Sequence, residues 1–299
     1  MIRWLDDPRA SVISEVINNR SKAFNRSSTL RKRLLSGLGV GGFGLLVVSL
    51  GGWWFTAALG GMVHLGLLEF FRMAQFKGIR PATKTTLVAC QLLLFTTQWS
   101  MQGGLPEAVA SAVLPLAGAA ICGWLLLQPV TGSIADIAAS IFGLFYLGFL
   151  PSHWLSLRGL EDGLAITLSA CLMIVATDIG SWAVGRRYGQ RPLSPISPGK
   201  TIEGAIGGFL SAMLMGLICG QLMGWALHGL PGLLLGALIA LFALVGDLTE
   251  SMMKRDAGVK DSGDVLPGHG GILDRIDSYL FTPAVVYYAI ALCQPLLAK

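Results

Sequence analysis

The sequence from residue 246 to residue 278 reads GDLTESMMKRDAGVKDSGDVLPGHGGILDRIDS, and long apolar runs border it on both sides. It contains seven carboxylates, four Lys or Arg residues, one His and six glycines, in a chain of which only 13% of the residues are charged. Solubility of a short loop does not require so many charges. This charged segment, residues 246–278, is therefore where we expect the chemistry of the protein, held between membrane-embedded helices.

Helical spacing groups some of these charges. If the preceding apolar run is a helix, Asp247, Glu250 and Lys254 lie on one face of its last turns, at positions i, i+3 and i+7. Carboxylates at a helix C-terminus oppose the helix dipole, so helix stability does not account for them. Asp274 and Asp277 are also three residues apart, on one predicted face where the next apolar run begins. Acids there favour a helix N-terminus without any ligand.

Two explanations fit this pattern of acids. Two carboxylate pairs at facing helix ends, joined by a turn rich in Gly and Lys, suit a hard cation that takes oxygen ligands and in turn binds phosphates. The alternative is a solvated loop whose acids only offset helix dipoles. The density of charge favours the cation site.

The charged segment resembles the signature of the phosphatidate cytidylyltransferases, also called CDP-diacylglycerol synthases. That signature has the form S-x-x-K-R-x4-K-D-x-G-x2-L-P-x-H-G-G-x-x-D-R-x-D, and so many fixed positions rarely coincide by chance. The matching residues are Ser251, Lys254, Arg255, Lys260, Asp261, Gly263, Leu266, Pro267, His269, Gly270, Gly271, Asp274, Arg275 and Asp277.

The resemblance implies a nucleotidyltransferase that converts CTP and phosphatidate into CDP-diacylglycerol and pyrophosphate for phospholipid biosynthesis. The implied partners are CTP, phosphatidate and membrane lipid but no nucleic acid, and a homodimer is left open. A phosphate monoester is largely dianionic at neutral pH, so the reaction needs charge neutralisation more than a strong general base. We therefore expect Mg²⁺ or another divalent cation, and a second cation is left open.

A second informative stretch runs from Thr177 to Gly208. Asp178 lies within an apolar run, where an ionisable side chain is costly and suggests a functional site. The structural alternative is an ion pair with Arg186 or Arg187, about two turns away.

Residues 197–204 also resemble a segment of the same family, of the form S-P-x-K-T-x-E-G. Ser197 and Lys200 precede a helix predicted to start near Thr201, and a helix N-terminus beside a lysine and a hydroxyl can bind phosphate. Glu203 is explained equally well by charge compensation at that terminus.

Three sets of candidate site residues follow from the resemblance and from this need for charge neutralisation. The predicted metal ligands are Asp247, Asp261, Asp274 and Asp277. The predicted catalytic residues are Lys200, Lys254, Arg255, Lys260, Arg275 and His269. The predicted substrate-binding residues are Asp178, Ser197, Gly270 and Gly271.

The composition of the whole chain predicts the fold class. With 299 residues, 53% of them hydrophobic, and a mean hydropathy of +0.65, the chain is too apolar for an ordinary soluble domain. We predict an all-α, polytopic integral membrane protein with about nine transmembrane helices, each near the ~20 residues that a span requires. The predicted spans are residues 34–50, 52–72, 85–101, 107–127, 133–154, 164–186, 202–226, 231–250 and 280–297.

The distribution of Lys and Arg predicts the orientation. With the N-terminus in the cytoplasm, 20 of the 22 Lys and Arg residues fall in cytoplasmic segments, as the positive-inside rule requires. Residues 1–33 are then a basic cytoplasmic segment. Residues 34–299 form a membrane catalytic domain whose active-site loops, 186–201 and 251–279, face the cytoplasm. A bacterial-type inner (plasma) membrane is the expected location.

Two other functions remain open. A cation-coupled transporter would also place acids such as Asp178 and Asp247 in its spans, but it should show repeats with broken helices at matching positions. Another nucleotide-lipid phosphotransferase, a CDP-alcohol phosphotransferase, would share the chemistry, but its D-G-x2-A-R-x8-G-x3-D-x3-D signature is absent from this sequence. Glu69 and Asp136 lie near predicted cytoplasmic span ends, where an interfacial position would account for them.

Overall fold

The structure is a computed structural model that describes residues 41–130, 132–263 and 270–297. All regular elements within these ranges are helices, apart from one isolated bridge between Pro192 and Thr201. This confirms the predicted all-α class. The predicted basic segment, residues 1–33, lies outside the described residues. Two compact units are distinguished, Met1–Ser49 and Leu50–Lys299, and the second contains the regions discussed below.

Each of the nine predicted apolar runs overlaps a helix within the described ranges, and these helices differ in length. With the short helix α9, the bounds are Gly41–Leu50 (α1), Gly52–Phe76 (α2), Thr83–Met101 (α3), Glu107–Leu126 (α4), Ile134–Arg158 (α5, with a π-helical segment Leu144–Phe149), Gly163–Tyr188 (α6), Ile202–Leu222 (α7), Leu230–Asp256 (α8), Leu273–Ile276 (α9) and Thr282–Leu297 (α10). Among the described helices, six are long and apolar enough to cross a membrane, namely α2, α4, α5, α6, α7 and the helix that contains α8. The chain is therefore a multi-pass membrane protein by length and composition of its helices, while the count of nine spans and the cytoplasmic N-terminus stay predictions.

The eighth predicted run ends at residue 250, but the corresponding helix, α8, is longer. α8 continues beyond residue 250 to Asp256, so that Lys254 lies on its last turn, as the spacing with Asp247 and Glu250 predicts, and the predicted loop 251–279 begins later than expected. Cations at a helix C-terminus are favourable because they offset the helix dipole. Asp256 also forms an ion pair with Lys77, just after α2, at 3.1 Å.

Glycines allow α6, α7 and α8 to pack closely. A Cβ atom at Gly180 of α6 would lie 2.8 Å from the carbonyl oxygen of Gly207 on α7. A Cβ atom at Gly216 of α7 would lie 2.1 Å from the carbonyl oxygen of Gly232 on α8. Small residues of this kind let the backbones of membrane helices approach each other. The packing brings Asp178, the start of α7 and the end of α8 around one space.

Candidate active site

Three carboxylates, which we call the acid triad, converge where α8 meets the turn after α9. Asp247 and Glu250 lie one turn apart on α8, and Asp277 begins the 3-10 turn Asp277–Tyr279. One oxygen of each residue lies within 4.8 Å of the others. Gly246 makes this approach possible, because a Cβ atom there would lie 2.3 Å from the carbonyl oxygen of Asp277.

The acid triad is short of neutralising partners. Glu250 is only 1% exposed, and its Oε2 atom lies 2.6 Å from the Nζ atom of Lys254, whereas Oε1 has no hydrogen-bond partner among the described residues. Burial, together with the charge of Asp247, raises the pKa of Asp277 to about 7. Closely spaced carboxylate oxygens with an unpartnered buried atom fit a hard divalent cation such as Mg²⁺.

A cavity of about 600 Å³ opens beside the acid triad, between α6, α7 and α8. Asp178, Lys200 and Asp247 line its polar part, and Lys200 is in ion-pair contact with Asp247. The other lining side chains are mainly apolar and include Trp182, Ile206, Phe209, Leu210, Leu241 and Leu244. Trp182 and Leu210 are 64% and 59% exposed on the outside of the bundle, so the apolar part of the cavity opens sideways.

The loop before α7 lies next to the end of α8. Thr201 caps α7 by accepting a hydrogen bond from the Gly204 amide at 3.1 Å, which confirms the predicted helix start. The Nε atom of Arg255 donates to the carbonyl oxygen of Ile196 at 3.3 Å. The two informative stretches of the sequence therefore meet in space. Ser197 is half-buried in this loop.

The sequence left a structural explanation open for Glu203 and for Asp178, and the structure supports only the first. Glu203 forms an ion pair with Arg191 at 2.9 Å and accepts bonds from the amides of residues 190 and 191, which supports a structural role. The arginine Arg186 lies over the ring of Trp182, 5.4 Å from its centroid. No ion pair joins Asp178 to Arg186 or Arg187 in the part of the chain that is described.

A second cluster, which we call the loop anchor, consists of Glu69, Ser262 and Asp274. The Oδ1 atom of Asp274 lies 2.6 Å from the Nζ atom of Lys254, and its Oδ2 atom accepts bonds from the Ser262 amide, the Ser262 hydroxyl and the Gly271 amide, each at 2.9 Å. Burial opposes ionisation of Asp274, but hydrogen bonds with Glu250, with Lys254 and with the two amides outweigh it and hold its pKa below the usual range.

Asp274 and Asp277 have different nearest partners, although only a four-residue helix and the start of a 3-10 turn separate them. Both still face Glu250, which hydrogen-bonds Asp274 and has an oxygen within 4.8 Å of one of Asp277. Side chains three residues apart in a 3-10 turn lie above one another, so the expectation that the two acids share one face stays a prediction. Asp277 joins the acid triad, whereas Asp274 belongs to the loop anchor.

The remaining predicted site residues lie around these two clusters. Lys260, Asp261 and Arg275 are exposed. Gly270 has φ of +80°, and its Cβ position lies 2.9 Å from Asp274 Oδ2, so glycine is needed there for conformation and for space. His269 lies outside the described residues. The roles predicted for all these residues, and for Asp274 as a metal ligand, stay predictions.

Two acids were left out of the predicted site. Glu250 could have been chosen from sequence, because its spacing places it on the same helical face as Asp247 and Lys254. Glu69 is only 5% exposed and Asp136 only 2%, so both are buried within the protein, while their position at the membrane interface stays a prediction. The available signal for Glu69 was an ionisable residue inside an apolar run.

Fold and site together define a multi-pass membrane protein with a carboxylate cluster beside a cavity that is both polar and apolar. The chain belongs to the cytidylyltransferase family, whose model matches residues 31–293. It is 44% identical to a phosphatidate cytidylyltransferase of Synechocystis over 85% of this chain and 94% of that protein. A chloroplastic phosphatidate cytidylyltransferase 4 of Arabidopsis thaliana is 35% identical over 94% and 79% of the two chains. The Bacillus subtilis phosphatidate cytidylyltransferase is 32% identical over 88% and 98%. The family predicted from the charged segment is thereby confirmed.

Proposed function

We propose that this enzyme transfers the cytidylyl group of CTP to phosphatidate, giving CDP-diacylglycerol and pyrophosphate. A phosphate oxygen of phosphatidate attacks the α-phosphorus of CTP, and the bond to the β-phosphate breaks as pyrophosphate leaves. The names of the relatives support this assignment, and nothing in those comparisons supports a transporter or a phosphotransferase of another class. The observation that carries the proposal is the cavity whose polar part adjoins the acid triad and whose apolar part opens sideways.

The shape of the cavity suits the two halves of a lipid substrate. An acyl chain would enter between α6, α7 and α8 past Trp182, Leu210 and Leu241, while the phosphate would remain near Lys200. Burial of apolar chains along such a surface is favourable, and it holds the phosphate at the depth of the polar groups. Asp178 would then hydrogen-bond a substrate hydroxyl instead of pairing with an arginine.

Charge neutralisation is the main task of the site, since both substrates are polyanions. Asp247, Glu250 and Asp277 would hold a divalent cation, which supplies neutralisation of the CTP phosphates and of the departing pyrophosphate. Lys200 reaches the polar part of the cavity from the loop before α7, and it would orient a phosphate there. Arg255 holds that loop to the end of α8, so it would fix the position of Lys200.

The direct test is the purified protein in detergent with labelled CTP, phosphatidate and Mg²⁺, in which CDP-diacylglycerol and pyrophosphate are measured together. We expect equal amounts of both products, and loss of both when EDTA is added. Diacylglycerol in place of phosphatidate should give no nucleotide-lipid product, because it has no phosphate to attack CTP. Release of pyrophosphate without phosphatidate would contradict the assignment.

We also propose that the active site faces the cytoplasm, on the basis of the Lys and Arg distribution. A single cysteine introduced at Lys260, which is exposed beside the site, should react with an impermeant reagent only from the cytoplasmic face. A cysteine introduced at Gly159, between α5 and α6, should react only from the opposite face. Reaction of both from one side would contradict this orientation.

A further inference from the structure

Glu69 connects α2 to the charged segment, although the two regions are far apart in the chain. Its Oε1 atom accepts a hydrogen bond from the Ile272 amide at 2.9 Å, and its Oε2 atom accepts one from the Leu273 amide at 2.8 Å. The hydroxyl of Ser262, 193 residues away in sequence, lies 3.0 Å from the same Oε2 atom. The two amides lie at the start of α9, and Ser262 lies earlier in the charged segment.

The charged segment is shaped to receive this carboxylate. A Cβ atom at Gly263 would lie 2.6 Å from Glu69 Oε1, and one at Gly271 would lie 2.4 Å from Glu69 Oε2. Any side chain at either position would therefore push the carboxylate out of its place. The two glycines lie eight residues apart in the charged segment, and both border the carboxylate.

The Ser262 hydroxyl joins Glu69 to Asp274. Its oxygen lies 3.0 Å from Glu69 Oε2 and 2.9 Å from Asp274 Oδ2, but a hydroxyl has one proton to donate. The two carboxylates thus share one donor, and backbone amides supply further bonds to both, while Asp274 also contacts Lys254. Such a network is rigid while every acceptor is satisfied, and loss of one member leaves buried groups unpaired.

The amides that Glu69 holds lie at the start of α9, and Asp277 follows directly after α9 ends at Ile276. We propose that Glu69 is a positioning residue for the acid triad: it holds the start of α9 in place so that Asp277 meets Asp247 and Glu250. This inference rests on the proposed function insofar as the acid triad binds the cation. A purely structural bond between α2 and the bundle is the competing explanation.

The test compares Glu69→Gln with Thr56→Val. Glutamine keeps the size of the side chain but directs an amide donor at groups that are themselves donors. Thr56 is a matched control, because it is buried on the same helix and bonds Gln98 of α3 at 3.2 Å, away from the charged segment. We expect amide hydrogen exchange at Ile272 and Leu273 to become about tenfold faster in Glu69→Gln. The Mg²⁺ concentration for half-maximal activity should also rise about tenfold, with CTP saturating.

In Thr56→Val, both quantities should stay at the wild-type level even if the melting temperature falls. Ser262→Ala removes one of the three donors and should shift both quantities in the same direction by a smaller factor, about threefold. It also serves as the test if Glu69→Gln is recovered in too small an amount.

Two results would overturn the positioning role while leaving the cation site in place. The first is unchanged exchange in Glu69→Gln or Ser262→Ala, with wild-type protein that still requires Mg²⁺. The second is faster exchange with an unchanged Mg²⁺ requirement, which would make the contact structural. A wild-type enzyme that needs no divalent cation would instead contradict the proposed cation site, and with it the inference.

Discussion

The acid triad and the loop anchor contain carboxylates from the same short segment, but their surroundings are opposite. In the loop anchor, Asp274 has bonds from a lysine, a hydroxyl and two amides. In the acid triad, carboxylates face one another, and Glu250 Oε1 has no partner among the described residues. Buried acids that are satisfied by the protein hold structure together, whereas buried acids that face other acids need something from outside.

Lys254 connects the two clusters. Its Nζ atom lies 2.6 Å from both Glu250 Oε2 and Asp274 Oδ1. With Lys200, which contacts Asp247, Lys254 makes two cations for the four acids Asp247, Glu250, Asp274 and Asp277. Asp277 has no ion pair among the described residues, so the excess negative charge lies on the side of the acid triad, next to the cavity, where a cation and the substrate phosphates would meet.

The mutation with the largest expected effect on activity tests the difference between the two clusters directly. Asp277→Asn should lower activity about a thousandfold, because it removes a charge that binds the cation. In cation-free buffer its melting temperature should be equal to or above that of the wild type, because repulsion between carboxylates is relieved. Activity assays and thermal unfolding in detergent measure the two effects. A loss of stability that accompanies the loss of activity would place Asp277 among the structural acids.

Asp274→Asn should lose more stability and less activity than Asp277→Asn. It loses the ion pair with Lys254, and an amide nitrogen now faces donors, so we expect a loss of about 2 kcal/mol of stability. Activity should fall about tenfold, through displacement of α9 and not through loss of a cation ligand. The sequence alone predicts equal, severe loss of activity in Asp274→Asn and Asp277→Asn with normal insertion. Equal loss without destabilisation would favour that interpretation over the division into two clusters.

The smallest expected effect is a pH dependence of stability. The pKa of Asp277 is raised in the folded protein to about 7, above the ordinary value near 3.9. Between these values the folded state binds more protons than the unfolded state, so stability of the cation-free protein should fall as the pH rises from about 4 to about 7.

Thermal unfolding in EDTA at several pH values measures this fall, which should amount to a few degrees. Bound Mg²⁺ should reduce it, and Asp277→Asn should show a smaller fall, whereas Asp274→Asn should retain it. A fall of the same size in Asp277→Asn would assign the dependence to another group.

Much of the fold could be predicted from the sequence because its signals are local. Apolar runs predict the helices of the described ranges, six of which are long and apolar enough to cross a membrane, and the spacing of Asp247, Glu250 and Lys254 places them on one face of α8. The exact end of α8 could not be placed, because the charged residues 251–256 fit the end of a helix and the start of a loop equally well. The charged signature identified the family without any knowledge of contacts.

The sequence by itself determined the class of protein, the family and the segment in which the chemistry lies. Only the tertiary structure decided which acids belong together. Asp274 and Asp277 are three residues apart but have different nearest partners, because Lys254 and Ser262 lie beside the first and Asp247 beside the second. Glu69 reaches the same turn from α2, and helix packing alone brings it there. Sequence periodicity describes the faces of single helices, whereas a bond between residues 193 positions apart depends on how those helices pack.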